Sequence, residues 1–106
     1  MDKVLQMIGM SKRAGKTVTG EFLCEKSIKL GKSKLIIIAA DASEASKKNI
    51  IDACLYYNIA YMEYSDKESL GSITGGGARA VVSIEDSGFA KAVKIKCGEQ
   101  GGRKER

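Results

Sequence analysis

Six consecutive apolar residues, Leu-Ile-Ile-Ile-Ala-Ala at 35–40, constrain this chain more than any other feature. A strand with one wet face alternates apolar and polar residues, whereas an unbroken β-branched run belongs to a strand buried on both faces. Such a strand needs cover above and below, and helical patterns flank it. Before it, Gly20 opens a helix that closes at Gly31, a residue suited to the position just past a helix end. Cys24, Ser27 and Ile28 cluster at 3.6-residue spacing and form its inner face. After the strand, a helix from about Ser43 to Tyr57 places Ile50, Ala53, Cys54 and Tyr57 at i, i+3, i+4 and i+7.

The remaining segments continue the alternation. Residues 3–13 read as a first helix with Val4, Leu5 and Ile8 on one side, followed after Gly15 by a short strand at Lys16–Thr19. Residues 59–64 form another strand. Ser65-Asp-Lys-Glu68 is a capping-box pattern that opens a short helix stopping near Gly71. A glycine-rich loop at Thr74–Ala78 leads into the strand Arg79–Ile84. A last helix, capped by Asp86 and beginning near Ser87, buries Phe89, Val93 and Cys97. Four strands covered by helices on both faces make an α/β fold, a three-layer α-β-α sandwich around a mixed sheet. With 106 residues, no repeats and no long linker, one domain is expected over residues 1–97, followed by a disordered basic tail at 98–106.

Charge is segregated along the chain. Residues 1–34 carry eight basic and three acidic groups, residues 35–90 four and eight, and residues 91–106 six and two. The basic ends favour a polyanionic partner if the fold brings them together. The opening segment MDKVLQMIGMSKRAG is amphipathic and charged, unlike a signal peptide, and residues 35–40 are too few to span a bilayer. A cytoplasmic protein without membrane contact is expected. Cys24, Cys54 and Cys97 stand 30 and 43 residues apart with no histidine in the chain, so no metal is expected and buried, reduced thiols are.

Catalytic motifs are incomplete. Ala14-Gly15-Lys16-Thr17 ends like a phosphate-binding Walker loop, but that loop needs a glycine where Met10 stands, a strand before it and a helix after it. Without histidine, a serine or cysteine nucleophile lacks its usual base. Glu85 and Asp86 are adjacent at a strand end and so point to opposite faces. No enzyme activity and no cofactor are expected. Gly75-Gly76-Gly77 is compatible equally with a backbone anion nest and with a flexible connection.

Five stretches, SKRAGKTVTGE (11–21), EKSIKLGKSKLIIIAADAS (25–43), CLYYNIAYMEY (54–64), ESLGSITG (68–75) and RAVVSIEDSGFAKAV (79–93), together resemble the L-seven-Ae superfamily of kink-turn RNA-binding and ribosomal proteins, most closely its bacterial YlxQ-like branch. The resemblance implies a four-stranded α-β-α sandwich. It also implies RNA contact at the start of the second helix, through a Gly-x-Asn-Glu-x-x-Lys motif, and at a loop before the last strand. The motif falls on Gly20-Glu21-Phe22-Leu23-Cys24-Glu25-Lys26. Gly20 and Lys26 match, while Phe22 and Leu23 replace the Asn and Glu that read the sheared pairs of a kink-turn. The loop falls on Gly75, Gly76, Gly77 and Ala78, next to Arg79. Lys47 lies at a corner that is beside the RNA in the resembling proteins.

The helical period supports an exposed position for Phe22 independently. With Cys24, Ser27 and Ile28 inward, Phe22 points nearly opposite and Lys26 lies about 40° from it. An aromatic ring at an open helix N-terminus can stack on an unpaired base, worth about 1–3 kcal/mol, or fold back as a hydrophobic staple. Arg13, Lys16, Lys29 and Lys34 would supply a surrounding phosphate footprint. The expected function is thus non-catalytic binding of structured ribosomal or other non-coding RNA, with the ribosome as a possible partner. Two alternatives are a protein–protein module using Phe22, Leu23 and the glycine loop, and a substrate-recognition domain serving a separate RNA-modifying enzyme.

Overall fold

The fold is described from a computed structural model for residues 2–99. Five helices and four strands alternate: α1 (Lys3–Arg13), β1 (Thr17–Thr19), α2 (Glu21–Lys29), β2 (Leu35–Ile38), α3 (Glu44–Tyr57), β3 (Tyr61–Glu63), α4 (Lys67–Ile73), β4 (Val81–Ile84) and α5 (Ser87–Glu99). The sheet order is β1-β4-β2-β3. β4 runs antiparallel to both β1 and β2, while β3 is parallel to β2, so the sheet is mixed.

The continuous apolar run forms β2, and every residue from Leu35 to Ala39 is buried. β2 sits between β4 and β3, and its residues face helices on both sides. α2 packs on α3, and α1 packs on α4 and α5, which gives the expected three-layer α-β-α arrangement. Strands are shorter than the sequence pattern suggests, because ladder pairing ends before apolar character does. Ala39 and Ala40 still donate to the carbonyls of Ala80 and Ser65 at 2.8 Å each, beyond the end of β2.

Several local expectations are corrected. The cap of α4 is Asp66, whose carboxylate accepts from the Ser69 N–H at 2.7 Å, not Ser65. Ser65 instead lies in the left-handed region (φ 64°), with its carbonyl tied to Ala40. Nor does Gly71 end α4, which continues to Ile73. A Cβ on Gly71 would overlap the Gly77 carbonyl group, so this glycine allows the helix to touch the glycine-rich loop. Tyr57 is exposed, since the buried face of α3, Ile50 and Cys54, ends one turn before it. Phe89 is only partly buried, and Ala90 takes the fully inward position beside Val93 and Cys97. α5 extends to Glu99, two residues past the expected domain end, and residues 100–106 of the expected tail lie outside the described residues.

Caps elsewhere follow the sequence. Ser43 accepts from the Ser46 N–H at 3.1 Å, Asp86 from the Phe89 N–H at 2.9 Å, and Gly31 takes φ 74° after α2. All three cysteines are buried. Among the described residues, no helix is long and apolar enough to cross a membrane, and no three His, Cys, Asp or Glu side chains are grouped to hold a metal.

Candidate nucleic-acid interface

β1 and β2 run in the same direction, so their ends define an upper and a lower edge of the sheet. At the upper edge β1 passes directly into α2 through Gly20. Its N–H is fixed to the Val81 carbonyl at 2.9 Å, and its backbone takes φ 93°, a conformation that side chains rarely adopt. Gly20 has no side chain to cap α2, so the first-turn N–H groups are left open. The helix dipole adds about half a positive charge at the same place.

Phe22 lies one residue past this opening and is 77% exposed. It does not fold back as a staple. Together with Glu25, Lys26, Lys29 and Leu30 it lines a shallow groove of about 300 Å³ along the outer face of α2. Leu23 is half-exposed. Glu21 turns away from the opening, accepting from Ser46 Oγ at 2.7 Å and Asn49 Nδ2 at 2.9 Å, and thereby ties α2 to α3. Its negative charge is thus directed towards α3 rather than the open N–H groups.

The glycine-rich loop is adjacent. Arg79 donates from Nε to Thr19 Oγ1 at 3.2 Å and from Nη1 to the Ala78 carbonyl at 3.3 Å. Its guanidinium passes beside Gly76, where a Cβ would lie 3.1 Å from Nη2. Gly75 takes φ 87° and ends the turn after α4. Arg79 has no carboxylate within 4 Å among the described residues, so its charge is available to a ligand. Gly20, Glu21, Phe22, Arg79 and the loop Gly75–Gly77 therefore gather at one edge, with Lys26 one turn along α2.

The other predicted cations are placed differently. Lys47 pairs with Glu63 at 3.5 Å and its side chain is mostly covered. Lys29 pairs with Glu25 at 3.3 Å on the last turn of α2. Arg13 ends α1. Lys16 and Lys34 stand at the beginnings of β1 and β2, on the lower edge, about 14 Å from Glu21 along the length of α2. Lys32 joins them in a pocket with Gly15 and Glu85. Sequence analysis missed Lys32, Thr19 and Leu30. The signal for Lys32 was its place two residues before Lys34, which the sequence analysis did single out; nothing in the sequence indicated that Thr19 would orient Arg79.

The thiols are unsuited to chemistry. Burial pushes Cys54 up to about 12. Burial first, and then the nearby negative charge of Glu85, raises Cys24 still further. Both remain protonated at neutral pH.

Comparison with known proteins agrees with this fold. Residues 2–94 match the model of the ribosomal protein L7Ae/L30e/S12e/Gadd45 family. RNA-binding protein YlxQ of Enterococcus faecium is 41% identical over 93 residues, covering 87% of this chain and 88% of that one. RNA-binding protein YlxQ of Bacillus subtilis is 38% identical over 84 residues, covering 79% and 84%. A solved structure of a Bacillus halodurans protein of unknown function superposes with a TM-score of 0.86 at 29% identity, covering 91% of this chain and 97% of that one. Sequence, fold and relatives agree: the chain belongs to the ribosomal protein L7Ae/L30e/S12e/Gadd45 family.

Proposed function

We propose that this protein is a non-catalytic RNA-binding protein that receives a bent or flipped-out element of structured RNA at the start of α2. The observation that carries this reading is the exposure of Phe22 (77%) beside an uncapped helix N-terminus and an Arg79 with no carboxylate within 4 Å among the described residues. Open N–H groups and the helix dipole favour a phosphate, and the ring offers a platform for an unpaired base. Relatives described as RNA-binding proteins support the partner class. A kink-turn-like ribosomal or other non-coding RNA, met in the cytoplasm and on the ribosome, fits the family membership.

Phe22 and Leu23 change how a bend would be read. Polar side chains at these positions would hydrogen-bond base edges, whereas an exposed ring stacks on them. Selectivity should therefore rest on an unpaired base and backbone shape rather than on sheared pairs.

Filter binding of a kink-turn hairpin and a straight duplex at several salt concentrations tests the site. Phe22→Ala should lower affinity for the hairpin by about 1–3 kcal/mol with an unchanged salt slope. Lys26→Glu should weaken binding to both RNAs. Unchanged affinity in both variants would remove this surface from consideration and favour a protein partner for the apolar groove.

A further inference from the structure

We propose that the lower edge of the sheet carries a second RNA contact, a phosphodiester-binding pocket formed by Lys16, Lys32 and Lys34 around the Gly15 turn. This inference takes RNA as the partner from the reading above, but it concerns a different surface. The three lysines and Gly15 line one depression of about 340 Å³ with Glu85. They come from two separate places in the chain, residues 15–16 and residues 32–34, and only the pairing of β1 and β2 with β4 unites them.

The backbone beneath the lysines is fixed. Lys16 donates its N–H to the Ser11 carbonyl at 2.9 Å and accepts from the Glu85 N–H at 2.7 Å. The Lys32 N–H is held by the Ser27 carbonyl at 3.0 Å, and the Lys34 N–H by the Ile84 carbonyl at 2.7 Å. The side chains are exposed, and none forms an ion pair within 4 Å among the described residues. Glu85 forms no ion pair with them within 4 Å among the described residues, and its carboxylate accepts from Ser27 Oγ at 2.6 Å.

Charge counting favours an anion here. Glu85 subtracts one charge, and the C-termini of α1 and α2, which end nearby, subtract about half a charge each. Three lysines leave about one positive charge in the pocket. Lys12, in the last turn of α1, adds positive charge at that helix end, whereas the Arg13 guanidinium lies back beside Gly9. No aromatic side chain lines this pocket, so it suits phosphates without reading bases. RNA held at the upper edge would be gripped again about 14 Å away, at the other end of α2.

Neutralising the pocket with Lys16→Gln, Lys32→Gln and Lys34→Gln together tests it. With the kink-turn hairpin as probe, the slope of log affinity against log salt should become shallower by about 2. Replacing the same three lysines with arginine should restore it. In the wild-type protein, nitrogen-15 NMR should show the amides of Gly15, Lys32 and Lys34 moving when the hairpin is added. An unchanged slope in the glutamine variant, or no movement of those amides, would overturn the proposal. So would saturable binding of inorganic pyrophosphate at these amides without any effect of the hairpin, which would mark a small-anion site. Phe22→Ala is the control that separates the two surfaces. If Phe22→Ala weakens binding and the lysine variant leaves the slope unchanged, the upper site stands and the pocket falls; if the lysine variant flattens the slope and Phe22→Ala leaves affinity unchanged, the pocket stands and the upper site falls.

Discussion

At the upper edge of the sheet the backbone is exactingly placed; at the lower edge charge dominates. Gly20, Gly75 and the contact of Gly71 with the Gly77 carbonyl each require the absence of a side chain, and Arg79 is held by Thr19. The lower edge needs left-handed backbone at Gly15 and otherwise presents lysines whose ammonium groups are unrestrained by ion pairs. Shape is costly to alter and selective, whereas unpaired charge is tolerant and general. A protein carrying both can combine recognition of one RNA feature with a hold on any backbone nearby.

The largest test of this contrast is Gly71→Ala. The added Cβ would meet backbone that cannot turn aside, and overpacking of this kind should cost about 3 kcal/mol in urea unfolding. A loss below about 1 kcal/mol would show that the loop yields easily and that the upper edge is not shape-determined. Arg79→Ala comes next. It leaves Thr19 Oγ1 without its donor and removes a free cation, so hairpin affinity should fall about tenfold, near 1.4 kcal/mol. An effect no larger than that of any single lower-edge lysine would erase the distinction between the edges.

At the lower edge, Gly15→Ala has open space but an unfavourable φ of 75°. It should cost about 1 kcal/mol of stability in urea unfolding. The smallest effect lies in the core between the edges. Cys54 is held at about 12 rather than 9.0 by burial, so the unfolded chain loses that proton first as pH rises. Stability is therefore full below the unfolded value and falls above it, by about 0.8 kcal/mol between pH 8 and pH 9.5 for this one thiol. Urea midpoints across that range would show it. Cys54→Ala, though less stable throughout, should lack this share of the slope.

Much of this architecture was legible in residues 35–40. An unbroken apolar run admits little besides a strand covered on both faces, and β2 is that strand. Gly31 and Asp86 performed the capping roles that their chemistry indicates. The exposure of Phe22 followed from the phase of Cys24, Ser27 and Ile28 alone. The failures were equally local. The Ser65–Glu68 pattern fitted a capping box, but Ser65 was already committed to the end of β2 through Ala40, so the cap moved to Asp66. Tyr57 matched the helical period and still faces solvent, because periodicity cannot tell where along a helix its buried face stops.

Periodicity within each segment determined the layers, the covered strand and the outward ring of Phe22, since these depend on neighbours a few residues away. Tertiary structure alone decided which cations meet. Lys47 on α3 is taken up by Glu63 of β3, Arg79 reaches Thr19 of β1 from the loop before β4, and Lys16 and Lys34 converge with Lys32 at the edge opposite Phe22. Long-range strand pairing sets these distances, and electrostatic partnership follows distance in space rather than position in sequence.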